Sequence, residues 1–440
     1  GKPQDFIKVP MELGSSKHQN GNHCESNNTI LSFDFNANES ELPFLNNANR
    51  VLDCKIRYDE PECNLDLVRA LKIICPEWSP LNEDKITIEK VTGGITNLLY
   101  RITGLPDHPG VLIRVYGRNT EIIIDRERDC AVFAELSKLG FAPTFWGRFS
   151  NGRIEGNFAG TRPLEPHEMG QKEGPDFTEM IARELARMHK LNVDSSKGTS
   201  PAENPKPILF ETLQSWAQSA KEISFEDVSK QEALELLDVG KMVQQLNWLR
   251  GRIENCSKSV PKAFMKSVVF SHQDLLSGNI LWHPEWDRVQ IIDYEYGGYN
   301  YRGFDIGNHF CEYAGFDFNI EKDFPEPEQQ LYFLRHYVES AAPKMYAQMV
   351  KNSQVEEFLI ALQHEVAYYV LASHLWWGFW AIMQAKYSPI DFNYLGYSKL
   401  RFDGYFFHKD TLFKYSNNKD QVQLEINLSK EDRKSGCIVH

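Results

Sequence analysis

The sequence predicts an α+β fold in two lobes, a small β-rich N-terminal lobe and a larger, mainly helical C-terminal lobe. Three observations predict it. Between Lys85 and Phe158 short apolar runs alternate with glycine and polar turns around a single helical stretch. From Phe177 onward apolar residues recur at helical spacing, as Ile181, Leu185, Met188 and Leu191 do. One β-rich, polar interruption, Val268 to Phe316, breaks that helical half. The chain has 440 residues, 42% of them hydrophobic and 25% charged, enough for a substantial core. It divides into a polar extension at 1–60, a first lobe at 61–160, a second lobe at 161–408 and a charged tail at 409–440.

Residues 1–60 are rich in Asn and Ser without a sustained apolar period, and read as a partly disordered extension. Gly1 to Pro10 has no apolar core and is not a signal peptide. Leu65, Val68, Leu71 and Ile74 predict a short helix, ended by Pro76 and Pro80. Strands are expected at Lys85–Val91, Asn97–Ile102 and Gly110–Tyr116, a helix at Ile123–Leu139, and short strands at Thr144–Gly147 and Arg153–Phe158. Phe177–Leu191 is a helix, and Phe210–Ile253 is mostly helical. Val366–Met383 carries no charged side chain, but its Tyr, Ser, His and Trp residues favour a buried helix over a membrane span. Cys437-Ile438-Val439-His440 has the shape of a prenylation signal, yet the terminal His points to an ordinary tail.

The net charge of −13 argues against a general nucleic-acid partner. Eight cysteines without a C-x-x-C pair suggest reduced thiols in the cytoplasm rather than a disulfide scaffold or a zinc site.

The chemistry concentrates in Ser271-His272-Gln273-Asp274-Leu275-Leu276-Ser277-Gly278-Asn279, which follows one apolar strand, and in Asp293, which ends a second. Phosphoryl transfer from ATP needs a carboxylate to orient or deprotonate the acceptor hydroxyl, hard oxygen ligands for magnesium, a loop over the nucleotide and a cation on the phosphates. Asp274 is the candidate base. Asn279, five residues on, and Asp293, 19 residues on, are the candidate metal ligands. His272 is read as holding the loop by hydrogen bonds. Upstream, Gly93, Gly94, Thr96 and Asn97 make a glycine turn that could cover phosphates. Arg114 stands on the third strand, where a kinase carries its phosphate-binding lysine, with Glu127 and Asp129 as alternative partners.

The run from Asp293 through Gly303-Phe304-Asp305-Ile306-Gly307-Asn308 to Phe310 resembles the signature of the choline/ethanolamine kinase family, as does the Asp274 loop, with Gln273 where Asn is more usual. The resemblance covers about 85–407. Leu275-Leu276, Glu312-Tyr313-Ala314-Gly315 and the stretch Gln384–Tyr397 are similar to its ethanolamine branch. It implies a protein-kinase-like bilobal fold, ATP and Mg2+ as cofactors, and phosphoethanolamine as product. It also implies an adenine hinge at Asn157 and Phe158 and an ammonium pocket of Tyr296, Glu312, Trp377, Trp380, Phe392 and Tyr397. Arg302 and Asp305 are expected to pair with each other within the loop. The family often forms homodimers. The rival readings are a choline kinase, a phosphotransferase of another amine, and a catalytically inactive kinase-fold scaffold.

Overall fold

The structure is a computed structural model that describes residues 30–31, 48–91, 97–117, 125–193, 205–254, 259–315, 318–388 and 390–416. In chain order the first part comprises β1 (Ile30–Leu31), β2 (Val51–Leu52), α1 (Cys63–Ile74), β3 (Thr87–Val91), β4 (Asn97–Thr103), β5 (Val111–Tyr116), α2 (Arg126–Lys138), β6 (Phe145–Phe149) and β7 (Gly152–Gly156). Its seven strands form one sheet, ordered β1-β2-β6-β7-β5-β4-β3. From β3 to β7 every pairing is antiparallel, as short hairpins require. Leu67, Leu71 and Ile74 of α1 pack with Trp78, Ile102, Val111, Ile113 and Ile154 into a core of its own. At the β4–β5 hairpin Gly104 has φ +125°, and a Cβ there would meet the Lys85 carbonyl oxygen at 2.0 Å, so no other residue fits.

Several boundaries differ from expectation for local reasons. Lys85 lies in a 3-10 turn, Glu83–Lys85, and the strand begins at Thr87. The helix expected from Ile123 starts at Arg126, because Asp125 accepts bonds from the Glu127 and Arg128 amides and caps it; residues 118–124 lie outside the described residues. The last strand of the sheet stops at Gly156, two residues before the expected Phe158.

The chain then passes through β8 (Arg162–Pro163) into the helical part: α3 (Phe177–Met188), α4 (Leu209–Glu222), α5 (Val228–Leu236), α6 (Val239–Glu254), α7 (Val260–Lys266), β9 (Val268–Ser271), β10 (Ile280–Trp282), β11 (Val289–Ile291), β12 (Gly298–Tyr301), α8 (Arg302–Glu312), α9 (Ile320–Asp323), α10 (Pro327–Ala341), α11 (Pro343–Lys351), α12 (Val355–Tyr387) and α13 (Tyr394–Ser416). The single helical region expected at 210–253 is three helices, since Asp227 caps α5 and Asp238, at φ +45°, turns the chain into α6.

The 33-residue α12 is the central pillar, packed against α13, α8, α4, α7, α10 and α6. Its apolar run is therefore buried by protein, and no described helix is long and apolar enough to cross a membrane. Gly303 and Gly307 let α8 approach it closely: a Cβ on Gly307 would meet the Val370 backbone nitrogen at 2.8 Å. The architecture is the α+β, two-lobed arrangement, small sheet first and large helical lobe second.

Candidate active site

Two short β-ribbons frame the site. β9 pairs antiparallel with β12, Ser271 opposite Gly298. β10 pairs with β11, Ile280 opposite Ile291, and β8 adds to the outer edge. The first ribbon launches the loop 272–279; the second delivers Asp293 beside it.

The loop is held from behind by buried groups. Asp305 of α8 accepts from the backbone amides of His272 and Gln273, each at 2.7 Å, and contacts His189 Nε2 at 2.9 Å. His272 Nε2 bonds the Ile292 carbonyl at 2.9 Å, and its Nδ1 accepts from the Asp274 amide at 3.2 Å. That pattern fixes the neutral tautomer with the proton on Nε2, and burial lowers the pKa further. His272 thus ties the loop to the Asp293 strand. Gln273 stands at φ +70° and is wholly buried. Its side chain donates to the Tyr296 carbonyl and accepts from Asn300 Nδ2, both at 2.8 Å.

On this frame Asp274, Asn279 and Asp293 keep partial exposure. Asn279 Nδ2 donates to the Asp274 carbonyl at 2.9 Å and to Asp274 Oδ2 at 3.2 Å, leaving its amide oxygen for another ligand. Arg114 reaches Asp293 Oδ1 at 3.3 Å and Glu155 at 3.4 Å. The chain of ion pairs continues from Glu155 to Arg153 (2.9 Å), Asp129 (2.7 Å), Arg126 (3.6 Å) and Glu295 (3.2 Å). It begins and ends on the Asp293-Tyr294-Glu295 segment, so the sheet, α2 and the second ribbon share one electrostatic framework.

Burial pushes the Asp274 carboxyl well above its usual range, and Glu312, Asp293 and Glu295 add to that. Burial and Asp293 raise Glu295 to about 7. For Asp293 burial acts upward too, but Arg114 and Arg153 outweigh it and hold the carboxyl low. Four carboxylates thus crowd one cleft, with Arg114 and Arg126 on one side. This excess of negative charge fits a divalent cation bound to phosphates. No described group of three or more His, Cys, Asp or Glu side chains surrounds a single metal position. Asp293 and Asn279 would accordingly supply two hard oxygens, and phosphates and water the remainder.

The aromatic residues named from the sequence converge beside Asp274. Tyr296 and Trp377 meet edge to face at 5.6 Å, Trp377 and Trp380 at 5.2 Å, and Phe392 and Tyr397 at 6.0 Å. Trp380 Nε1 donates to the Tyr296 hydroxyl at 3.0 Å. Glu312 completes the group. It pairs with Arg401 at 3.4 Å, and burial nevertheless raises its pKa.

Some expectations land elsewhere. Gly93, Gly94 and Thr96 lie outside the described residues. Asn97 bonds Glu295 at 3.2 Å. Asn157 Nδ2 donates to the Pro109 carbonyl at 2.8 Å, and Phe158 meets Trp286 edge to face at 5.9 Å, both in the segment that joins the lobes. Neither Glu127 nor Asp129 makes the ion pair with Arg114: Glu127 pairs with Arg148 at 2.5 Å and Asp129 with Arg153. Arg302 and Asp305 do not pair with each other either. Arg302 instead bonds Ser267 Oγ at 2.7 Å and the Tyr337 hydroxyl at 2.9 Å, while Asp305 is taken up by the His272 and Gln273 amides and His189. Arg401, Asn308 and Glu295 were not singled out from the sequence. Glu295 and Asn308 lie inside the run 293–310 that carries the family resemblance, and Arg401 left its four-residue spacing from Tyr397, which puts both on one helix face.

The model of the choline/ethanolamine kinase family matches residues 88–406. A probable ethanolamine kinase of Arabidopsis thaliana is 36% identical over 342 residues, spanning 77% of this chain and 84% of that protein. A choline/ethanolamine kinase of Homo sapiens is 33% identical, over 76% of this chain and 83% of its own. Among solved structures, an ethanolamine kinase of Plasmodium vivax superposes with a TM-score of 0.63 at 25% identity, covering 79% of this chain and 89% of the other. A choline kinase of Cryptosporidium parvum gives 0.65 at 26%, covering 81% and 98%.

Proposed function

The chain belongs to the choline/ethanolamine kinase family, and from that premise we propose that it transfers the γ-phosphoryl group of ATP, with Mg2+, to the hydroxyl of ethanolamine. The product, phosphoethanolamine, opens the CDP-ethanolamine route to phosphatidylethanolamine. The observation that carries the reading is the juxtaposition of Asp274 with the aromatic and acidic pocket, Glu312 being the strongest charged influence on the Asp274 carboxyl. An alcohol whose ammonium rests among Tyr296, Trp377, Trp380 and Phe392 would present its hydroxyl to Asp274.

Asp274 orients that hydroxyl and accepts its proton, its amide tied to His272 and its carboxylate to Asn279. Asn279 and Asp293 would hold Mg2+, which would supply neutralisation of the phosphate oxygens. Arg114, anchored by Glu155, restrains Asp293. In this reading Asn157 and Phe158, in the connection between lobes, border the adenine, and the glycine-rich sequence 93–97 covers the phosphates. The protein acts in the cytoplasm on a small amino alcohol.

A primary ammonium carries N–H donors that need acceptors, and Glu312 and the Tyr296 and Tyr397 hydroxyls are such acceptors. Choline as the preferred alcohol is the second reading, favoured by the aromatic faces alone, which take a trimethylammonium group equally well. The deciding experiment is ATP consumption with Mg2+ and a concentration series of each alcohol. A higher kcat/KM for ethanolamine is expected; a preference for choline moves the assignment to the second reading, and turnover of neither overturns both.

A further inference from the structure

One buried side chain touches both halves of the site. Asn308 sits on α8, one residue after Gly307, and is fully buried. Its Nδ2 donates to the Gln273 carbonyl at 3.2 Å, the peptide bond that leads into Asp274. Its Oδ1 accepts two bonds of 2.7 Å from α12, one from Trp377 Nε1 and one from Ser373 Oγ. Ser373 Oγ in turn accepts from Arg401 Nη2 at 2.6 Å, and Arg401 Nη1 reaches Glu312 at 3.4 Å and the Tyr397 hydroxyl at 3.3 Å.

We propose that Asn308 is a positioning residue that sets the distance between the ammonium pocket and the catalytic loop, by bonding Trp377 and the Ser373–Arg401 pair through its oxygen and the Gln273 carbonyl through its nitrogen. The inference rests on the reading of Tyr296, Glu312, Trp377, Trp380, Phe392 and Tyr397 as the alcohol's amine site.

Three features carry it. The site needs one acceptor for two donors and one donor for a carbonyl, all buried, and a carboxamide provides that set in a single planar group. Ser373 and Trp377 are four residues apart and so stand on one face of α12. Finally, Gly303, against the Tyr369 ring, and Gly307, against the Tyr369–Val370 backbone, bring α8 close to α12, which is what puts one short side chain within reach of both donors. Ethanolamine is short. A pocket that drifts relative to Asp274 leaves the hydroxyl off line even when the ammonium is held, and misplacement by about 1 Å costs roughly 10²-fold in rate.

The test compares the full-length wild type with Asn308→Ala and Ser373→Ala, measuring kcat and KM for ethanolamine and KM for ATP separately, with a thermal melt for each variant. Asn308→Ala is expected to lower kcat/KM for ethanolamine about 10²-fold. Ser373→Ala, which keeps the Trp377 bond but removes the bonds to Asn308 and from Arg401, is expected to lower it about 10-fold or more, the scale of one to two lost hydrogen bonds. In both the KM for ATP holds, which a general loosening of the lobe would not allow. Should Asn308→Ala fail to fold, Ser373→Ala alone decides. Variants that keep the wild-type kcat/KM, or whose KM for ATP rises in parallel with the loss, overturn the inference while the functional reading stands. A wild type inactive on ethanolamine overturns that reading and this inference with it.

Discussion

Asp274 differs from its neighbours in being partly exposed while the residues just before it, His272 and Gln273, are sealed from solvent. That contrast separates chemistry from support and yields two distinct expectations. Asp274→Asn preserves shape and the Asn279 contact but removes the proton acceptor. Its kcat is expected to fall about 10²-fold or more with ATP affinity retained, checked by steady-state kinetics beside nucleotide titration. Gln273→Ala leaves the Tyr296 carbonyl and Asn300 Nδ2 without their partner inside the protein. It is expected to cost about 2 kcal/mol or more of stability, read from denaturant midpoints. Gln273 and Asp293 both occupy left-handed backbone, at φ +70° and +65°, a region that non-glycine residues enter only when their surroundings hold them there. The residue before the candidate base and the candidate metal ligand Asp293 are thus both held in strained backbone, as are Asp107, Asp238, Phe318 and Ser353 elsewhere in the described chain.

The helices repeat this division of labour at their glycines. On α8, Gly307 has no room for a methyl group, since the obstacle is the Tyr369–Val370 backbone. Gly307→Ala is expected to destabilise by about 1–3 kcal/mol and to lower alcohol turnover as the two helices part. On α6, Gly251 has nothing within 4 Å of a built Cβ. Gly251→Ala is expected to stabilise by about 0.5–1 kcal/mol with activity unchanged, because helix propensity is all that alters. Paired thermal melts check both. The elements also show what a sequence reveals. The strands β3 to β7 and the helices from Phe177 were legible because period and turn chemistry are local, whereas β1 and β2, two residues each, fall in the stretch read as a polar extension and carry too short a pattern to see. The closeness of Asp274 and Asn279 was legible too, since they stand five residues apart in one loop. The partners of Arg114, Asp305 and Glu312 were not, since they lie 41 residues (Glu155), 33 residues (the His272 amide) and 89 residues (Arg401) away along the chain. Glu127 and Asp129 were plausible for Arg114 on helical position alone. The choice among several buried arginines is made by side-chain packing across β5, β7 and α2, which spacing does not encode.

Across the whole molecule, titration divides into two opposing sets. Burial depresses His189, His272, His309, His374 and His408, with His309 and His408 brought to about 4. The unfolded chain binds these protons near pH 6.5 and the folded one does not. Stability is therefore full above about pH 6.5 and falls as pH drops toward 4, by up to about 1.4 kcal/mol per pH unit for each such histidine. The clustered acids act in the other sense. Asp274, Glu295 and Glu312 are raised, so without a cation the folded protein gains protons, and stability, as pH falls through the window above their ordinary values. A divalent cation with ATP favours the charged carboxylates and cancels that gain. The rise in Tm produced by Mg2+ and ATP is accordingly expected to shrink from pH 7.5 to 5.5, while the liganded protein itself loses Tm. Differential scanning at several pH values checks both trends.

The residues of the site are also ordered in time. Asp274, Asn279 and Asp293 leave the ribosome well before the helices that complete the proposed amine pocket: Trp377 follows Asp274 by 103 residues and Arg401 by 127. At roughly 5–20 residues per second, a nascent chain carries Asp274 for about 6–25 s before Arg401 is synthesised. For most of that interval α8 has neither Ser373 nor Trp377 to bond, and throughout it Glu312 lacks Arg401. A message broken anywhere between those codons would encode a chain with the acids of a kinase and no means of choosing its acceptor.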